Sequence, residues 1–172
     1  VCSRYVGQPL SDFSHERDAG PADDDDGILR ARYDTLQVVA NLSPRPRTVQ
    51  NVRLAPWGFV ATAPGLVAAS LQTLGGTDLG EEGVSFVTQG DAAKTQVWVY
   101  ARPGENVAVA TPASLPDSAA LYLDGNTPVK ASRADRIWQF TVPALPDAKR
   151  LSPPPVKPGG VQYLWSGEIR TP

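Results

Sequence analysis

The stretch His15-Glu16-Arg17-Asp18-Ala19 opens like the helical zinc motif in which two histidines hold the metal and a glutamate serves as base. The second ligand position, however, is Ala19. With one histidine in the chain, no multi-histidine metal site can form and no Ser-His-Asp arrangement is favoured over chance. His15 therefore reads as a loop residue with local hydrogen bonds. The run Asp23-Asp24-Asp25-Asp26-Gly27 invites a calcium reading. If Gly27 is the loop's sixth position, Asp24 and Asp26 occupy ligand positions, but Ala22 and Tyr33 stand where the first and last ligands belong. A solvated acidic run is the better reading. Neither a Walker glycine loop nor a dinucleotide fingerprint occurs. Nearly all of the 18 acids fall in loops and turns, among them Asp34, Asp91, Asp117 and Asp124, where a carboxylate has a local hydrogen-bonding reason to sit. No pair qualifies as the two carboxyls of a glycosidase. The sequence names no catalytic residue, no metal ligand and no cofactor. Asn41-Leu42-Ser43 fits the glycosylation acceptor pattern.

The aromatic residues offer binding chemistry instead. An exposed tryptophan can stack on a sugar ring, whereas an inward one fills a core. Trp98 and Trp165 are the candidate surface platforms for carbohydrate. Trp138 alternates with Phe140 and Val142 and is assigned to the core. Trp57, between Pro56 and Gly58, is expected to wedge at a strand corner.

The elements that would position these side chains are strands. The chain holds 15 glycines and 17 prolines, well above common usage but short of the level that marks disorder. Between these breakers lie short β-branched and aromatic runs, which read as all-β with many turns. The expected fold is an antiparallel meander followed by a β-sandwich of Ig-like or jelly-roll-like type, with little or no helix. The expected organisation is a polar approach segment over 1–27, a small antiparallel β domain over 28–74 and a β-sandwich over 84–172. Between them, Gly75 to Gly83 is glycine-rich and acidic, which suits a linker. Strands are expected around Ile28–Tyr33 and Leu36–Leu42, and across the turn Ala63-Pro64-Gly65. Another pair is expected across Asp124-Gly125-Asn126, and a last strand over Val161–Ile169 after a proline-rich loop. A short helical turn is weighed at Asp91–Lys94.

Net charge of -2 and a pI near 5.3 argue against a nucleic-acid partner. No apolar run is long enough to span a membrane as a helix. Cys2 is the lone cysteine, so no intrachain disulfide framework exists and the compartment stays open. The chain contains no methionine and begins at Val1 without a cap signal. Processing, or a place at the C-terminal end of a longer polypeptide, is the expectation.

Two segments carry a family resemblance. Val38-Val39-Ala40-Asn41-Leu42-Ser43 is followed, after a short polar turn, by Leu54-Ala55-Pro56-Trp57-Gly58-Phe59. In this order they resemble the β domain that follows the catalytic barrel in many glycoside hydrolases, where a strand ending in Asn-Leu-Ser or Asn-Leu-Thr leads to Leu-x-Pro-x-Gly-Phe. Residues 84–169 are similar, in strand pattern, to β-sandwiches appended to carbohydrate-active enzymes. The resemblance implies that the catalytic carboxylates belong to a barrel upstream of Val1. This chain would then be a noncatalytic accessory region that packs on that barrel, stabilises it and aids glycan binding. The alternative is an independent Ig-like or fibronectin-like binding or adhesion module. The two readings differ in one observable, since a barrel-packing region should expose a contiguous apolar patch of several hundred Å².

Overall fold

The computed structural model describes residues 9–16, 27–124, 127–143 and 163–171, all of them strands, turns and irregular connections without a helix. In chain order the strands are β1 (Leu10–Glu16), β2 (Ile28–Tyr33), β3 (Leu36–Asn41), β4 (Arg47–Val49), β5 (Val52–Leu54), β6 (Phe59–Ala63), β7 (Leu66–Leu74) and β8 (Thr77–Asp78). They continue with β9 (Val84–Gly90), β10 (Lys94–Ala101), β11 (Asn106–Ala110), β12 (Ala120–Leu123), β13 (Thr127–Val129), β14 (Ala131–Ala134), β15 (Ile137–Thr141) and β16 (Tyr163–Arg170). The all-β, antiparallel, sandwich-like fold expected from the turn density is what forms.

One large sheet runs β1-β2-β3-β6-β7-β9-β10-β16-β12-β13, with β5 and β8 also pairing with β7 and β4 hanging on β5. A second sheet, β11-β15-β14, packs against it. Its β11 lies over β7 and β9, where the Thr88 hydroxyl donates to the Ala110 carbonyl at 2.5 Å. The turns follow local chemistry. Asp34 takes φ 33° between β2 and β3, and Gly65, after Pro64, takes φ 72° between β6 and β7. β7 is apolar on both faces, Leu66-Val67-Ala68-Ala69, and is buried on both, as befits a central strand.

The core lies between the two sheets. Val97 and Val99 of β10, Trp165 and Ile169 of β16 and Leu121 of β12 meet Val107, Val109, Trp138 and Phe140 of the smaller sheet. Trp138 and Phe140, assigned inward by alternation, are 3% and 5% exposed. Each large side chain buried in this way contributes roughly 1.5–3 kcal/mol. Surface ion pairs such as Arg30–Glu16, at 3.1 Å with side chains 36% and 62% exposed, contribute about 0–1 kcal/mol. Apolar burial therefore decides the fold.

Three expectations are corrected. The segment 1–27 is not polar approach throughout, because Leu10–Glu16 forms β1 and pairs with β2 from Asp12 opposite Arg32 to Glu16 opposite Ile28. The two expected units, 28–74 and 84–172, share one core. β7 pairs with β9 from Leu66 opposite Gln89 to Leu71 opposite Val84, and one core cluster contains both Leu54 and Trp138. The expected linker is a tight connection with glycines at positive φ (Gly75, Gly76, Gly80 and Gly83). Finally, Asp91–Lys94 forms no helical turn. The Asp91 carboxylate accepts the Ala93 and Lys94 amides at 2.8 and 3.1 Å, closing a side-chain turn between β9 and β10.

Candidate functional site

The two segments that carry the resemblance meet at one corner of the sheet. Asn41, 1% exposed, donates from Nδ2 to the carbonyls of Arg45 (2.7 Å) and Ala55 (2.9 Å). Its Oδ1 accepts the Ser43 amide at 3.1 Å, and the Ser43 hydroxyl accepts the Arg45 amide at 3.0 Å. The backbone of Ala55–Gly58 is a turn closed by the Gly58 amide on the Ala55 carbonyl at 2.8 Å. Pro56 stands second in that turn and Trp57 third, at φ 56°, the position that type II turns reserve for glycine or asparagine. Gly58 has no room for a side chain, since a Cβ there would lie 2.4 Å from the Ser70 carbonyl oxygen. The motif is thus a structural knot tying β3 to β6. Its Asn41, buried and fully bonded, is no exposed acceptor for a glycan.

Directly opposed residues in a sheet share a face, so the register sorts the large sheet into two surfaces. On the outer one, Phe13 lies opposite Ala31, Ala31 opposite Val38, Val38 opposite Ala61, Ala61 opposite Ala68, Ala68 opposite Val87 and Val87 opposite Trp98. An apolar line thus crosses seven strands. Alanines keep its middle flat, while Phe13 (54% exposed), Phe59 (37%) and Tyr100 (39%) stand out from it. Beyond β10 the face turns charged, where Lys94 and Arg170 pair with Glu168 at 2.7 and 3.4 Å. Its middle is closed: Leu36 (6% exposed), Ala61 (5%) and Ala68 (1%) are buried, with Tyr33, Val38, Ala63 and Val87 packed around them.

The inner surface of β1, β2, β3 and β6 extends past the core and is overhung by the β4–β5 hairpin. Between them lies a cleft of about 440 Å³. Asp12, Arg32, Gln37 and Thr62 form one cross-strand row in it, each directly opposite the next. The adjacent row holds Arg30, Val39 and Val60, and Val49, Gln50 and Val52 overhang both.

The candidate sugar platforms separate. Trp165 is 2% exposed and its Nε1 donates to the Ala101 carbonyl at 3.1 Å. It fills the core and offers no surface platform, which corrects that assignment. Trp98 is half-buried on the outer face, opposite Val87 and Ser166. Trp57 is not wedged; at 62% exposed it is the most exposed of the large apolar side chains described. His15 sits on exposed β1 opposite Leu29, in a strand and not in a loop. The aspartates of the calcium reading, Asp23–Asp26, lie outside the described residues, and among those described no cluster of metal-ligating side chains forms. The cleft residues were not singled out by sequence reasoning, because each is an ordinary outward polar residue of its own strand and only the register aligns them. Comparison with protein families, characterised proteins and solved structures finds no match to this chain.

Proposed function

We propose that this chain is a noncatalytic accessory β region of a larger carbohydrate-active enzyme, seated through the outer face of its large sheet on the catalytic barrel of the same polypeptide. The observation that carries the reading is the apolar line from Phe13 to Trp98, closed at its centre, with Phe13, Phe59 and Tyr100 exposed along it. Protruding aromatics around a closed apolar centre, with a charged margin at Lys94, Glu168 and Arg170, fit a docking surface. Exposed aromatic residues gathered on one face favour a partner there, and the resemblance makes that partner the barrel. The Asn41 knot supports the reading through the resemblance, since it gives the shared motif a structural purpose.

The test compares this chain with the longer polypeptide that contains it. Phe13→Asp and Tyr100→Asp remove exposed apolar groups and should leave the chain alone folded. In the longer polypeptide the pair should lower thermal stability and glycoside hydrolysis together. Unchanged stability and activity there, or glycoside hydrolysis by the isolated chain, would overturn the proposal.

A further inference from the structure

The cleft beneath the β4–β5 hairpin is a second feature, on the face of the sheet opposite the docking surface. Its polar row of Asp12, Arg32, Gln37 and Thr62 crosses four strands, a length of about 14 Å at ordinary strand spacing. All four side chains are exposed, and none has a hydrogen-bond or ion-pair partner among the described residues. Beside the row, Val39 and Val60 form an apolar shelf roofed by Val49 and Val52. Six of the twelve lining residues are polar or charged, and the volume falls in the range of small-ligand sites.

The charge balance narrows the ligand. Arg30 is already paired with Glu16 at 3.1 Å, and the remaining Arg32 faces Asp12 across the strand pair. A site for phosphate or carboxylate would carry net positive charge, whereas this row holds one acid and one base, Asp12 and Arg32, and carries none. Carboxylate, guanidinium and amide groups are planar and present paired donors or acceptors, which suits adjacent hydroxyls, while the valine shelf suits the C–H face of a ring.

The hairpin adds a further polar group. Gln50 holds φ 54° at the tip between β4 and β5, where glycine would carry no steric cost. Its side chain is exposed, lines the cleft and makes no hydrogen bond within the described residues. That φ is what the first position of a two-residue hairpin turn requires, so the turn fixes the backbone and leaves the Gln50 amide uncommitted at the cleft.

The geometry points to a binding site for a short, neutral saccharide, held by Asp12, Arg32, Gln37, Gln50 and Thr62 against Val39 and Val60. In choosing a saccharide among neutral polyols, the assignment rests on the carbohydrate-enzyme reading above. The experiment is a two-dimensional NMR titration of this chain with short neutral gluco-, xylo- and manno-oligosaccharides, alongside sulfate and an oligogalacturonate. At least one neutral sugar should move the side-chain amides of Gln37 and Gln50 and the backbone of β3 and β6. Gln37→Ala and Gln50→Gly should each weaken that binding about tenfold, the loss of one or two hydrogen bonds. Gln50→Gly should do so with the melting temperature held or raised, which a structural role for Gln50 would not allow. Cleft shifts from the anions alone, no cleft response to any neutral sugar, or full affinity in Gln50→Gly would each overturn the assignment. Sugar binding confined to Trp98 and Tyr100 would overturn it while leaving the carbohydrate reading intact. A cleft that binds sugar, with the docking substitutions silent in the longer polypeptide, would uphold the site and refute the barrel-docking reading.

Discussion

Replacing Asn41 tests the knot that joins β3 to β6. In Asn41→Ala, three hydrogen bonds at 2.7–3.1 Å vanish together. The Arg45 carbonyl belongs to an exposed residue and can turn to water, and the Ala55 carbonyl keeps the Gly58 amide at 2.8 Å. The Ser43 amide has neither recourse, because Ser43 is 0% exposed. One fully buried orphan donor costs about 1–3 kcal/mol, and the lost packing brings the expected destabilisation to about 2–3 kcal/mol. For a chain of 172 residues that lowers the melting temperature by roughly 4–12 °C. Asn41→Asp keeps the shape but turns an oxygen toward two carbonyls that now receive N–H groups. Its loss at neutral pH should exceed that of alanine, above about 3 kcal/mol, because the buried carboxylate is both desolvated and opposed. Such a carboxyl has its folded pKa raised, so the folded state binds the extra proton and the deficit shrinks as pH falls toward about 4. The alanine deficit has no such dependence. Chemical and thermal unfolding of both variants at neutral and acid pH would decide. An aspartate no worse than alanine at neutral pH, or an alanine loss below about 1 kcal/mol, would refute the hydrogen-bond accounting.

The other expectations follow from backbone geometry and charge. Trp57→Asn places a residue tolerant of φ 56° in the exposed turn position and should hold or raise stability by up to about 1 kcal/mol, read by denaturant midpoint. Gly58→Ala forces a Cβ to 2.4 Å from the Ser70 carbonyl oxygen and 2.7 Å from the Ala55 nitrogen, both backbone atoms that cannot yield, and should cost about 3 kcal/mol. Asp91 is held below its ordinary pKa of 3.8 by the Ala93 amide first and the Lys94 amide second. Since the folded value is the lower one, the stability it lends is present above pH 3.8 and fades as the pH falls through its folded pKa. Asp91→Asn retains an acceptor for both amides and should flatten the acid limb of the stability profile, measured by unfolding from neutral to acid pH.

Local chemistry made much of the architecture legible. Asp34-Thr35 and Ala63-Pro64-Gly65 marked their hairpins, and the parity of Trp138, Phe140 and Val142 marked the core face. The parity that placed Trp138 could also have placed Trp165. Ser166, Glu168 and Arg170 share one face of β16 and Trp165 and Ile169 the other, so the polar set had already assigned the indole inward. β1 escaped notice for a physical reason. Ser11-Asp12-Phe13-Ser14-His15-Glu16 puts polar residues on both faces, and all seven positions of the strand are exposed, so no alternation distinguishes this edge strand from a loop. The glycines of 75–83 read as flexible, yet they enable tight turns that flexible residues and strained ones share.

The candidate surfaces were hidden because they are properties of register, which joins residues far apart in sequence. Along β2 alone, Leu29, Ala31 and Tyr33 alternate with Arg30 and Arg32, a pattern that names two faces without saying what lies beside either. Pairing with β3 sets Ala31 beside Val38 and Arg32 beside Gln37, and pairing with β1 sets them beside Phe13 and Asp12. A slip of one residue would send the arginines to the alanine-lined outer face and the apolar set into the cleft. The two surfaces therefore stand or fall together. Charging Ala31 by Ala31→Asp would disturb docking from the outer face while leaving the polar row in place, and Arg32→Leu would disturb the cleft while leaving the outer face apolar. Independent effects of those two changes, in one correctly paired sheet, are what the register requires of a region that meets a partner on one side and a small ligand on the other.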